Sequence, residues 1–408
     1  MDEVRTDARP LASIRVLDLT RVLAGPFCTL ILSDLGAEVV KVEDPKAPDY
    51  TRTIPPYTGE ISHYFLAANR GKKSVALDLK TDNGRRIGIE LAKRCDVVVE
   101  NFRPGVMKRL GLDYEALSAH NPGIVVCSVS GFGQTGSQAG KAAVDVVVQA
   151  LSGAMSTNGE PDGSPTKLGL AMGDLAGALF AAVGVVAALR QRDVTGRGAH
   201  VDVSLVDSLT SLLSYLAQLF LITGQEPPRT GNRHLTVPGF GRYPTADRDI
   251  VVSVQMNELW QRFCQAADRP ELVDDPRYGT VPARQARFGE VEGLVAEILA
   301  SRPLAEWEER LERAGVPNGR ILSIGDALES PYAVERGLVR ELHQPGSGDV
   351  RVVGPVIRFC DDTAVTPLEP APRLGEHTRS VLGELLGIEG EAVDRLVADG
   401  VASEPGRA

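Results

Sequence analysis

The first 130 residues alternate between short apolar strands and helical patterns, and this alternation limits the fold more than any other feature of the chain. Ile14 to Leu19 and Ala37 to Glu43 read as buried strands. Between them a helix runs to about Leu35, with Pro26 in its first turn, where a missing N–H costs nothing. Lys72 to Lys80 gives a third strand, Asp82 to Lys93 a helix, Asp96 to Glu100 a fourth strand and Ile124 to Ser130 a fifth. Crossovers of this length join parallel strands, and near-continuous apolar strands need cover on both faces. The expected fold class is therefore α/β, with a large Rossmann-like, doubly wound parallel-sheet domain.

At 408 residues the chain is longer than one such domain requires. Composition changes after Thr223: Gly224 to Asn232 is rich in Pro and Gly, and the strands and Arg/Glu-rich helices beyond it read as a smaller α+β domain. A β pattern at Arg351 to Phe359 and a Pro-rich link, Thr366 to Pro372, lead to two C-terminal helices that need a partner surface. The expected organisation is 1–205 for the first part of the large domain and 206–230 for a long apolar helix (Val206 to Ile222) and linker. Residues 231–318 are then the small domain, 319–372 a return linker, and 373–408 the C-terminal helices rejoining the large domain.

A net charge of −10 argues against general nucleic-acid binding but leaves room for an anionic ligand on a local basic cluster. Cys28, Cys95, Cys127, Cys264 and Cys360 are scattered, and no pair has metal-ligand spacing, which points to a reducing, cytoplasmic setting without a metal site. Met1 to Asp7 has no apolar signal core, and no charge-free stretch is long enough to predict a membrane span. The nearest, Ala176 to Leu189, reads as a buried core helix.

That helix follows the most informative short stretch, Leu168 to Phe180, where Asp174 stands alone among small apolar residues. An Asp before an apolar run ordinarily caps backbone N–H groups. Gly173, Ala176 and Gly177 suggest more, because small neighbours let a ligand or another backbone approach the carboxylate. Placed at the N-cap, Asp174 is also expected to be held ionised by the helix dipole, as a nucleophile requires. Upstream, Asp145 and Gln149 share one face of a short apolar helix over 142–152, four residues apart, and a buried Asp there needs a partner or a ligand. Gly131 to Gly136 matches G-x-G-x-x-G after a strand. No helix opens at the third Gly and no acid-bearing second strand follows, so a dinucleotide site is not expected.

An ordered set of motifs resembles the family III CoA-transferases, the group of formyl-CoA:oxalate and carnitine CoA-transferases. The set is Leu17-Asp-Leu-Thr, Ala24-Gly-Pro, Glu38-Val-Val-Lys-Val-Glu, Asn69-Arg-Gly-Lys-Lys-Ser, Leu77-Asp-Leu-Lys and Glu100-Asn-Phe-Arg-Pro-Gly. It continues with Met172-Gly-Asp, Thr195-Gly-Arg-Gly, Val201-Asp-Val-Ser-Leu, Gly231-Asn-Arg-His and Leu374-Gly-Glu-His-Thr. The resemblance implies a large Rossmann-like domain built from both chain ends, a small domain from the middle, and a homodimer whose chains interlock. It implies that Asp174 is the nucleophile, passing through a mixed anhydride and an aspartyl-CoA thioester. Coenzyme A enters as substrate, as acyl-CoA, with a small carboxylic acid as acceptor and no tightly bound cofactor. Residue by residue, it places CoA contacts at Leu23 and Ala24, at Leu77, Asp78, Leu79 and Lys80, at Asn101, Phe102 and Arg103, and at Arg109 and Lys141. Asp145 and Gln149 become lining candidates. A solvated surface charge is the competing reading for Lys80 and Lys108.

Departures from the pattern sharpen the reading. Asp44 stands where some transferases have Arg, leaving Lys46 as the substitute on the adenine side. Related racemases carry a proton-transferring His where this chain has Val144, which removes half of a two-base mechanism and disfavours an acyl-CoA racemase or epimerase. Oxalate enzymes carry a run of Gly in the small domain, where this chain has only Gly239-Phe-Gly241, so oxalate is not the expected acceptor. Arg233 and His234 either face the acceptor or support structure. A CoA-binding protein without turnover is the alternative from another class.

Overall fold

The structure is a computed structural model that describes residues 9–359 and 368–406; Met1 to Asp7, Cys360 and the start of the Pro-rich link lie outside the described residues. Two compact units are present. One comprises residues through Ala154, Leu168–Ser214 and the chain from Tyr332 onward, and the other Met155–Lys167 and Tyr215–Pro331.

The larger unit holds a mixed but mainly parallel sheet. Its strands are β1 (Arg15–Asp18), β2 (Glu38–Glu43), β3 (Lys73–Leu77), β4 (Val97–Glu100), β5 (Val125–Ser130), β6 (His200–Ser204) and β7 (Ala402–Ser403). Their spatial order is β7-β3-β2-β1-β4-β5-β6, and only β7 runs antiparallel. The order reverses between β1 and β4, so a crevice opens at their carboxyl ends, where ligands of such sheets bind.

β4 and β5 are buried along their whole length, which requires cover on both faces. The covering helices are α1 (Ala24–Asp34), α2 (Asp82–Lys93), α3 (Asp145–Leu151), α4 (Met172–Thr195), α5 (Leu205–Ser211), α6 (Thr378–Leu386) and α7 (Glu391–Ala398). On one face Val16, Val97, Val99 and Cys127 pack with Leu32 of α1 and Ala181 and Val185 of α4. On the other, Leu17, Val98 and Val126 pack with Ile87 and Leu91 of α2 and Leu382 of α6. Each fully buried Val or Leu contributes about 1.5–3 kcal/mol. α2 shows the local logic: Thr81 caps it by accepting from the Gly84 N–H at 3.0 Å, and Ile87 and Leu91, four apart, form its buried face.

The C-terminal segment closes onto β3. The His377 N–H donates to the Ser74 carbonyl at 2.8 Å, and Thr378 Oγ1 accepts from the Ala76 N–H at 3.1 Å. α4 is long and apolar enough to cross a membrane, but half of its most apolar window is buried within this unit.

In the second unit, Phe240–Pro244, Asp249–Ser253 and Asn318–Arg320 form an antiparallel sheet. It packs against Asn257–Ala266, Phe288–Ala300 and Leu304–Ala314 around Trp260, Phe263 and Trp307.

Two expected elements differ. The helix anticipated over Val206 to Ile222 is two, α5 and Tyr215–Thr223, because Ser214 adopts a left-handed φ of 49° that no helix continues through. The late β pattern is a hairpin of Val339–Gln344 with Gly348–Val353, and no strand is formed over residues 354–359.

Candidate active site

The first turn of a helix leaves N–H groups without partners, and at α4 these are met in an unexpected way. The helix begins at Met172 with Ala171 at its N-cap, so Asp174 is the third helical residue rather than the cap, and its side chain caps nothing. Asp145 does that work from α3: its Oδ1 accepts the Gly173 N–H at 2.8 Å and the Asp174 N–H at 3.3 Å. Asp145 is itself held by Gln149, whose Nε2 donates to Oδ2 at 2.7 Å. Gln149 is fully buried; it also donates to the Leu170 carbonyl (3.1 Å) and accepts from the Leu168 N–H (2.7 Å), so it supports the approach to α4. Gly173 is required here, since a Cβ would stand 2.7 Å from Val148 Cγ1 and 3.1 Å from Asp145 Oδ1.

Freed from capping, the half-buried Asp174 carboxylate has no hydrogen bond or ion pair among the described residues. Its pKa is pushed up to about 6, first by burial and then by the Asp145 charge. Loss of water and a like charge thus oppose the expected help from the helix dipole, and Asp174 is still mainly ionised at neutral pH. Tyr64, which the sequence did not single out, belongs to the same surroundings. Burial raises its phenol, and the charges of Asp174, Asp49 and Asp145 raise it further.

At the carboxyl end of β1 the chain turns through Val22 at φ 68°, a real outlier for a β-branched residue. The Val22 N–H donates to both oxygens of Asp49, each at 3.2 Å. Asp49 is fully buried and paired with buried Lys41 at 3.2 Å. Beside them Asp18 meets Lys72 at 3.0 Å, also without solvent contact. Burial opposes the Asp18 charge, but Lys72, Lys41 and the Thr20 and Thr29 hydroxyls outweigh it and hold the carboxyl well below its usual range. Leu23 and Ala24 follow this turn and open α1, which has no side-chain cap.

Asn101 ties the same turn to the end of β4. Its Oδ1 accepts from the Arg21 N–H and its Nδ2 donates to the Arg21 carbonyl, both at 2.8 Å. The Arg21 guanidinium stands 6.0 Å from the Phe102 ring centre. Leu23, Ala24, Asn101, Phe102 and Arg103 are therefore brought together where the strand order reverses.

The Leu77 to Lys80 segment sits at the end of β3, two strands away from that reversal. The Leu77 side chain is fully buried in the core, leaving only its backbone for a ligand. Leu79 packs against the same core, and Asp78 accepts the Lys80 N–H at 3.0 Å. Lys80 pairs with Asp44 at 2.8 Å, an exposed bond of little net worth. Lys46 lies 3.9 Å from Asp78. Arg103, Arg109 and Lys141 are exposed and make no ion pair among the described residues, which leaves them available to an anion.

The glycine-rich loop after β5 opens no helix before α3; its Gln134 N–H donates to Asp202 at 2.9 Å and 3.1 Å, so the chain's own carboxylate occupies it. No group of three or more His, Cys, Asp or Glu side chains able to hold a metal occurs among the described residues. Tyr64 and Asp49 were missed because neither has sequence spacing that links it to Asp174; only the fold does.

A half-buried carboxylate without a partner among the described residues, in a unit that also exposes Arg103, Arg109 and Lys141, suits chemistry on an anionic ligand, and comparison with known proteins points the same way. A family model described as CoA-transferase family III matches residues 11–378. The chain is 39% identical to the succinyl-CoA:glutarate CoA-transferase of Mus musculus, covering 97% of this chain and 91% of that protein. It is 39% identical to the acetyl-CoA:oxalate CoA-transferase of Acetobacter aceti, covering 93% and 97%. The crystal structure of a CAIB/BAIF family protein from Brucella suis superposes with a TM-score of 0.80 at 34% identity, covering 93% of this chain and all of that one. With a matching family model across most of its length, this enzyme belongs to the family III CoA-transferases.

Proposed function

We propose that the enzyme moves CoA from an acyl-CoA to a small carboxylic acid through covalent intermediates on Asp174. The observation that carries this reading is the Asp174 carboxylate, half-buried and without a protein partner because Asp145 has taken over the capping of α4. An ionised Asp174 oxygen attacks the thioester carbonyl and expels the CoA thiolate, leaving a mixed aspartyl–acyl anhydride. The thiolate returns to the aspartyl carbonyl, releasing the donor's carboxylate and forming an aspartyl-CoA thioester. The acceptor carboxylate then displaces the thiolate to give a second anhydride. Attack of the thiolate on the acceptor's acyl carbon frees the new acyl-CoA and restores Asp174.

Each step puts negative charge on a carbonyl oxygen, so N–H donors are needed nearby. The N–H groups at the start of α4 are taken by Asp145, but α1 opens at Leu23 and Ala24 without a side-chain cap, which supports these as the donors. Arg103, Arg109 and Lys141 suit the coenzyme phosphates, with charge-assisted bonds. Leu77, Asp78, Leu79 and Lys80 are assigned to the coenzyme through their backbone and the Lys80 side chain, released from Asp44. Val144, exposed at the start of α3, carries no proton, which speaks against a racemase.

The relatives' names point to dicarboxylic acceptors such as glutarate, with succinyl-CoA as a donor to try first. A homodimer is part of the reading: Leu179, Val183 and Val186 form an outward apolar stripe on α4, exposed by 53%, 67% and 39%. The four described cysteines are buried free thiols, which supports a reducing, cytoplasmic setting. The test is CoA exchange between succinyl-CoA and a panel of dicarboxylic acids. Asp174→Ala is expected to lose activity by at least about 1,000-fold while still binding CoA. Exchange by that variant at the native rate would end the proposal.

A further inference from the structure

The Asn101–Phe102–Arg103 turn rests on an acid that nothing in the chemistry above employs. Glu100 closes β4 and is buried to 2% exposure, yet no Lys or Arg pairs with it among the described residues. Its Oε2 accepts the Phe102 N–H at 2.7 Å. Ser128 stands level with Glu100 on β5, where its hydroxyl favours the charged form of that acid, and it bonds to His200 Nε2 at 2.9 Å. The His200 ring is exposed and stacks on Tyr114, with centres 6.0 Å apart and planes 17° from parallel. Three adjacent strands thus place a buried carboxylate, a hydroxyl and a surface imidazole side by side. A buried acid without a cation is costly to keep, and a neutral Asn or Gln would satisfy one N–H as well.

We propose that Glu100 is a positioning residue for coenzyme binding: its carboxylate clamps the Phe102 N–H and so fixes the turn whose side chains meet the coenzyme. The inference rests on the reading that this turn binds CoA. Asn101 is already fixed to Arg21 on the far side, so the Phe102 N–H is the second tether of the turn.

Burial raises the Glu100 pKa to about 7; the Ser128 hydroxyl and the Phe102 N–H pull it down, and Asp202 pushes it up. The other titratable groups facing it are His200 from β6, Cys127 from β5 and Tyr114 beyond His200. A hydrogen bond to an ionised acceptor is stronger than one to a neutral acid. The clamp is therefore strong above neutral pH and weak below it.

The experiment is calorimetric titration of the whole enzyme with free CoA between about pH 6 and about pH 8, comparing wild type with Glu100→Gln and Ser128→Ala as ratios so that the coenzyme's own titration cancels. Amide exchange of residues 101–105 is followed alongside. Wild-type affinity relative to Glu100→Gln should fall about fivefold as pH drops through the Glu100 range, since Gln keeps an acceptor that does not titrate. Ser128→Ala removes a hydroxyl that favours the charged form and should move the wild-type midpoint to higher pH; it carries the test if Glu100→Gln does not fold. If CoA protects 101–105 but the variants follow the wild-type pH profile, the positioning role is overturned. If CoA leaves those amides unprotected in wild type, the assignment of the turn to coenzyme binding fails instead.

Discussion

Asp174 and Asp145 divide between them two tasks that a single Asp would otherwise combine. One carboxylate spends its lone pairs on the helix start, and the other has no partner among the described residues. The division has a cost in stability, and its sign follows from the raised Asp174 pKa of about 6. A raised acid stabilises the fold fully below its unfolded value, and that contribution is lost as pH rises through the folded value. Above about pH 6, ionising Asp174 then costs on the order of 2–3 kcal/mol. Asp174→Asn should be more stable than wild type at about pH 8, by up to that amount, and equal to it below about pH 4; thermal melts at the two pH values check this. Asp145→Asn keeps an acceptor for the Gly173 N–H and removes the like charge, so the acid limb of kcat against pH should move to lower pH. An unmoved limb would mean that Asp145 does not act on Asp174 through charge. The sequence marked both residues, but it gave the capping role to the wrong one. Asp145 lies 29 positions from Asp174 and reaches it only through the fold.

Among the elements, the strands were legible because β4 and β5 are apolar without interruption and must be covered on both faces. Elements whose limits are set by distant partners were less so. The start of α4 depends on Asp145, and the break at Ser214 is a backbone conformation rather than a composition signal. Ahead of α1 the sequence offered Pro26 as a mark of the helix start, but not the left-handed Val22 or the buried Asp49 that holds it. Gly173 offers a test at this scale. Ala is the better helix former by about 0.5–1 kcal/mol. Here its Cβ would strike branched Val148 at 2.7 Å, and overpacking costs about 1–3 kcal/mol. Gly173→Ala is expected to lower stability on balance and to lower kcat by pushing Asp145 away. A variant as stable and active as wild type would show that α3 yields easily.

For the whole molecule, the fold class was readable because helix-length crossovers join parallel strands, whereas the strand order, with its reversal at β1, was not read from the sequence. The membership of residues 155–167 in the second unit was not. It rests on long-range bonds such as Arg229 Nη2 to the Gly163 carbonyl (2.6 Å) and the Gly231 N–H to the Gly159 carbonyl (3.0 Å), which no local pattern announces. The apolar stripe on α4 makes its own prediction at this scale. Light scattering should give the mass of a dimer, and Leu179→Asp with Val183→Asp should weaken it or prevent folding. An interlocked pair would in addition resist dissociation on dilution without unfolding. A wild-type monomer that remains active would remove the dimer from this account.

The central claim is that acyl and CoA groups pass through Asp174. The most direct test is mass spectrometry of the intact enzyme after incubation with succinyl-CoA and hydroxylamine, followed by peptide mapping. The account predicts a hydroxamate on the peptide carrying Met172-Gly-Asp174, absent from Asp174→Ala. A modification on another residue, or exchange activity with no trapped adduct at Asp174, would contradict it.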